Sequence, residues 1–137
     1  CAAWEGAGLR VGVDIERIAP RSPGLVRDFF DPEEAAAWEA LAKGPARDAF
    51  ATAVWSAKES VLKALHLGLT VDTRSVGIAL SGEEADGTEG LPRPAGGGWK
   101  RFAARRDPAL PGSGRPLAGY WRESGGYVLT VAVTPAA

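Results

Sequence analysis

The chain has 137 residues, 45% of them hydrophobic, which suits one globular domain with a modest core. Its net charge of −1 supplies no global basic field for nucleic acid, and no apolar run approaches the ~20 residues needed to span a bilayer. A single cysteine, Cys1, and a single histidine, His66, exclude an intrachain disulfide and a thiolate–imidazole zinc site. The expectation is a cytoplasmic protein without a signal peptide, since no charged segment precedes an apolar one at the start. The absence of methionine leads us to expect one domain over 1–137 that is a piece of a longer polypeptide.

The first element expected is a strand over 9–18. Leu9, Val11, Val13 and Ile15 alternate there with Arg10, Gly12, Asp14 and Glu16, so Asp14 and Glu16 leave the same face two residues apart. Pro20 and Pro23 mark the exit, and 25–30 reads as a short helix. Asp31-Pro32-Glu33-Glu34 is a helix start, with Asp31 as N-cap, Pro32 at N1 and Glu34 closing a capping box. That helix is expected to end near residue 42, before Gly44 and Pro45.

The longest helical pattern covers 46–67, with Gly68 as the expected C′ residue. Strands are expected over 76–80, 99–104, 117–122 and 127–133. A Gly-, Pro- and Glu-rich loop is expected over 82–98, a second loop over 108–116, and a hairpin turn over 123–126. Two local charge runs, Glu83, Glu84, Asp86 and Glu89 on one side and Lys100, Arg101, Arg105 and Arg106 on the other, read as solvated faces. The fold class is α+β, an antiparallel sheet packed on a long helix.

Three carboxylates and a lysine carry the chemical interest. Taken alone, Asp14 and Glu16 read as water-facing, and Glu59 four residues before Lys63 reads as an ordinary surface ion pair. Together they form an all-oxygen set suited to Mg²⁺, which keeps waters and takes substrate phosphate oxygens, with a lysine to offset phosphate charge. Such a set serves phosphoryl-type transfer, where positioning and charge neutralisation do most of the catalysis. A generic phosphohydrolase fits less well, because no water-activating histidine or second metal cluster accompanies it.

The order and wording of these segments resemble the 4′-phosphopantetheinyl transferase family. Val11-Gly12-Val13-Asp14-Ile15-Glu16 is similar to its first signature, and Trp55-Ser56-Ala57-Lys58-Glu59-Ser60-Val61-Leu62-Lys63 to its second, W-[ST]-x-K-E-[SA]-x-x-K. Phe29-Phe30-Asp31-Pro32-Glu33-Glu34 resembles the connecting segment, and Cys1-Ala2-Ala3 resembles a strand that follows a Ser-His-Ser element absent here. Glu16 and Trp55 lean toward the tandem type, of which this chain resembles the C-terminal half, and the integrated domain of a large synthase is one setting for it.

The resemblance implies Asp14, Glu16 and Glu59 as Mg²⁺ ligands, and Lys63 and Lys58 as contacts for the phosphates of coenzyme A. It implies transfer of 4′-phosphopantetheine from coenzyme A to a serine of an acyl or peptidyl carrier protein, with release of 3′,5′-ADP. The catalytic residues it implies are Glu59, Lys63 and Glu16, with Glu59 first and Glu16 second as the base. Trp55 is assigned to packing. The family pocket lies between two halves or two subunits, so an upstream half-domain or self-association is the expected partner besides carrier protein and coenzyme A. The alternative is a half-domain that docks a carrier protein or another partner and is inactive alone.

Overall fold

In the computed structural model, which describes residues 2–84 and 91–136, six strands form one antiparallel sheet and three helices accompany it. The strands are β1 (Ala2–Gly6), β2 (Leu9–Arg17), β3 (Val76–Glu84), β4 (Lys100–Arg106), β5 (Ala118–Ser124) and β6 (Tyr127–Pro135), in the spatial order β1-β2-β6-β5-β4-β3. The helices are α1 (Pro23–Phe29), α2 (Pro32–Ala40) and α3 (Pro45–Ala64). This is the α+β architecture expected, a sheet on a long helix. Asp86 and Glu89 of the acidic run, the 85–90 part of the expected loop and Cys1 lie outside the described residues.

Local chemistry explains most of the boundaries. Asp31 and Glu34 make the capping box in both directions, and Pro32 starts α2 at the first helical position. Ser22 caps α1 two residues earlier than expected, with Pro23 at its first turn. Gly125 and Gly126, both at positive φ, join β5 to β6 as a two-residue hairpin with Ser124 opposite Tyr127.

The C-terminus of α3 differs from expectation. Leu67 N–H reaches the Leu62 carbonyl and His66 N–H the Lys63 carbonyl, the paired bonds of a Schellman ending. His66, at φ +58°, therefore takes the left-handed position assigned to Gly68, which instead opens a short 3₁₀ turn. Strand β3 also runs past residue 80 into the expected loop, with an irregular register between Leu80 and Glu84.

Helix α3 lies on β2 and β6. Its small residues Ala53 and Ala57 and its larger Val54, Val61 and Leu62 are buried with Phe102, Trp121, Val128 and Ala132. Contact is closest at Gly12, where an added Cβ would fall 2.0 Å from the Ser60 carbonyl oxygen and 2.6 Å from the Ala64 nitrogen. Only glycine lets the helix backbone come so near the strand. The helix-facing side of β2 therefore carries Gly12, Asp14 and Glu16, and its apolar residues Val11, Val13 and Ile15 turn the other way. On that outer face Trp4, Ile15 and Tyr127 stand 55%, 47% and 43% exposed.

Candidate functional site

The seam between β2 and α3 brings four of the expected site residues together. Asp14 enters it from the strand and is only 4% exposed, so the water-facing reading does not hold for it. Its Oδ1 accepts a hydrogen bond from Lys63 Nζ at 2.9 Å, across the helix–sheet contact. Lys63 keeps 22% of its side chain exposed, and its close carboxylate is Asp14 of the strand. Glu16, two residues along the same face, is half-buried and shares a hydrogen bond with Asp14.

Glu59 completes the group from α3. Its Oε1 is buried without a hydrogen-bond partner. A buried, unpartnered carboxylate oxygen is costly unless the group is protonated or meets a cation. Burial, reinforced by the charge of Asp14 and opposed by Lys63, pushes the Glu59 carboxyl above the usual carboxylate range. Burial also raises Glu16, with the charge and hydrogen bond of Asp14 adding to it and Arg21 opposing. Negative charge is thus concentrated beyond what Lys63 offsets.

Hard, all-oxygen and electron-rich, this donor set fits a divalent cation such as Mg²⁺. Among the described residues, no group of three or more His, Cys, Asp or Glu side chains stands ready as a cage. One ammonium already lies on Asp14, and Mg²⁺ is ordinarily held by one or two carboxylates with waters and phosphate oxygens completing the shell.

Lys58 is placed elsewhere. Its ammonium is fully buried on another side of α3, 2.7 Å from Glu34 Oε1. It donates to the carbonyls of Thr73 at 2.8 Å and Val76 at 2.5 Å. An ammonium has three donors, and these partners use all three, leaving none for a phosphate. Burial pulls Lys58 down and Glu34 up toward their neutral forms, and their mutual attraction opposes both shifts.

Several supporting residues carried no signal in the sequence. Arg21 donates to the Arg17 carbonyl at 3.0 Å and to Thr52 Oγ1 at 3.4 Å, which holds its charge near Glu16. Thr130, directly opposite Asp14 in the β2–β6 register, bonds both the hydroxyl and the carbonyl of Ser56. Neither falls in a periodic pattern, because each depends on a contact distant in sequence. Trp55 packs edge-on against Phe29, with ring centroids 5.2 Å apart. Four clefts of about 340 to 440 Å³ indent the surface, and none of the four is lined by Asp14, Glu16, Glu59 or Lys63.

Comparison with known proteins converges on one family. No curated protein sequence matches the chain. Among solved structures, the fold is similar to an ACPS–CoA complex from Chronobacterium ammoniagenes, at 16% identity and a TM-score of 0.61, over 93% of this chain and 96% of that one. It is similar to the apo-ACPS structure of the same organism, at 17% identity and a TM-score of 0.59, over 92% and 95% of the two chains. A Thermotoga maritima holo-[acyl-carrier-protein] synthase matches at 14% identity and a TM-score of 0.54, over 93% of this chain and 63% of that one. At these identities the likeness is one of fold. The family model ACPS, which describes the 4′-phosphopantetheinyl transferase superfamily, matches residues 10–132, and the chain belongs to that superfamily.

Proposed function

We propose that the chain transfers 4′-phosphopantetheine from coenzyme A to a serine of an acyl or peptidyl carrier protein, in a Mg²⁺-dependent reaction, at the seam of Asp14, Glu16, Glu59 and Lys63. The observation that carries this reading is the buried, unpartnered Glu59 carboxylate oxygen facing the Asp14–Lys63 pair, within a chain of this superfamily. Asp14, Glu16 and Glu59 would hold the metal, which when bound supplies charge neutralisation for the diphosphate. Lys63 adds positive charge next to it. Glu59, raised by burial, accepts the proton of the carrier serine, with Glu16 second in line. The serine oxygen forms a bond to the β-phosphorus, the bond to the bridging oxygen breaks, and 3′,5′-ADP leaves with the electron pair.

The proposal includes a second body. None of the four clefts described above reaches the seam, and the family pocket is expected between two halves or two subunits, so a second wall for a bound nucleotide would come from another body. The exposed apolar residues Trp4, Ile15 and Tyr127 lie on the opposite face of the sheet from the seam, so a partner that covers them is a separate contact from one that completes the site. The experiment is mass spectrometry of an apo carrier protein incubated with coenzyme A, Mg²⁺ and this chain, with light scattering on the same sample. Arrival of the phosphopantetheine arm on serine supports the reading. An unmodified carrier that co-scatters with the chain favours the docking half-domain instead.

A further inference from the structure

Besides its buried apolar face and the Ser56–Thr130 bonds to β6, two contacts bear on how α3 sits against the rest of the molecule. One is the glycine contact, where Ser60 and Ala64 lie on Gly12 of β2. It sets how near the helix comes, while apolar packing and the Ser56–Thr130 bonds restrain its rotation from the β6 side and leave the side toward α2 and β3 to other groups. The other is Lys58, which points about 100° away from Glu59 around the helix. A fully buried lysine is rare, and its surroundings here come from three segments. Glu34 belongs to α2, Thr73 to the 3₁₀ turn before β3, and Val76 to the start of β3. Together they triangulate the ammonium.

Glu34 is fixed as firmly as its partner. Its Oε1 also accepts from Asp31 N–H at 2.8 Å, and its Oε2 accepts from Ile78 N–H at 2.6 Å on β3. Asp31 in turn receives Arg105 of β4 at 2.8 Å. A Cβ at Gly77 would fall 2.5 Å from Asp31 Oδ2, so the absence of a side chain there makes room for the chain of charges. An apolar pair of the same volume would fill the space at little loss of stability, but would not select one rotation of α3.

We propose that the Lys58–Glu34 pair is a positioning device that sets the roll of α3 and so aims Glu59 and Lys63 at Asp14. Neither residue touches the reacting groups. Both act through the orientation of the helix, one face of which carries the site. The role rests on the transferase reading of the seam.

The test measures melting temperature and transfer kinetics, with coenzyme A and an apo carrier protein, for wild type, Lys58→Met, Glu34→Gln/Lys58→Met and Asp14→Asn. Lys58→Met leaves the Glu34 carboxylate buried without its counter-charge, so it should melt lowest. The double variant removes that charge and keeps a capping-box side chain, so it should recover most of the lost stability. A positioning role predicts that kcat does not recover with it, remaining about ten- to a hundredfold below wild type, with the KM for coenzyme A within about twofold. A double variant with wild-type kcat overturns the positioning role, because activity would then follow stability alone. Should the double variant fail to fold, Glu34→Gln alone carries the same test: a fall in kcat at constant KM supports the role, and wild-type kcat overturns it. A wild type that transfers nothing, or an Asp14→Asn variant as fast as wild type, overturns the transferase reading and the positioning role with it.

Discussion

Lys58 and Lys63 lie five residues apart on one helix, yet the structure treats them as opposites. Lys58 is sealed in a network that uses every donor it has, between α2 and the start of β3. Lys63 is part-exposed in a seam where carboxylates outnumber ammonium groups. The first environment is closed and balanced, and the second is open and short of positive charge. A helix can therefore present a structural lysine and one we propose for chemistry within two turns, and the partner elements set the two environments. What distinguishes the side proposed for chemistry is Glu59, raised by burial and with one carboxylate oxygen buried without a hydrogen-bond partner.

The largest effects are expected at the seam. Asp14→Ala and Glu59→Ala should each lower transfer by about a thousandfold or more while the fold persists, because each removes a proposed metal ligand. Circular dichroism and the carrier-modification assay check this together, and activity within twofold of wild type in either variant would remove these residues from the site. On the closed side, Lys58→Met should cost about 3–5 kcal/mol of stability by leaving a buried carboxylate unpaired, read by urea denaturation. A loss below about 1 kcal/mol would mean that Glu34 finds another partner.

Lys63→Ala sharpens the contrast. It should slow transfer or raise the KM for coenzyme A by about tenfold, while costing only about 1–3 kcal/mol for the lost bond to Asp14. If its stability loss matched that of Lys58→Met and its kinetics stayed normal, the two lysines would be alike after all. The smallest effect concerns pH. Glu16 and Glu59 are raised above the unfolded value of 4.5, so the folded state binds protons more tightly there than the unfolded chain. Their contribution to stability falls as pH rises from 4.5 through the folded values, and above them the penalty is complete. Glu59→Gln should thus melt at or slightly above the wild-type temperature near pH 8 while transferring poorly. A clearly lower melting temperature at that pH would show that Glu59 is stabilising as a charge.

Much of this architecture could be read along the chain. The capping box at Asp31 and Glu34, the long α3 and the alternation of β2 are local signals, and each appears within a few residues of its expected place. The orientation of β2 was not legible, because alternation says which residues share a face and not which face meets the helix. The missing cue was Gly12, whose bare Cα marks the side on which α3 rests. Helical spacing already turns Lys58 about 100° from Glu59, but its partners were hidden, since Glu34, Thr73 and Val76 are not helical neighbours. His66 in a left-handed conformation could not have been anticipated with Gly68 two residues away, because the Schellman bonds place the turn where the helix ends.

The proposed transfer site is the β2–α3 seam. The most direct measurement is single-turnover mass spectrometry of an apo carrier protein with coenzyme A and Mg²⁺, comparing wild type with Asp14→Asn, which preserves the shape of the buried side chain and removes its charge. Wild type should leave a serine-linked phosphopantetheine arm on the carrier, and the variant none on the same timescale. Equal modification by the two proteins would contradict this placement of the site.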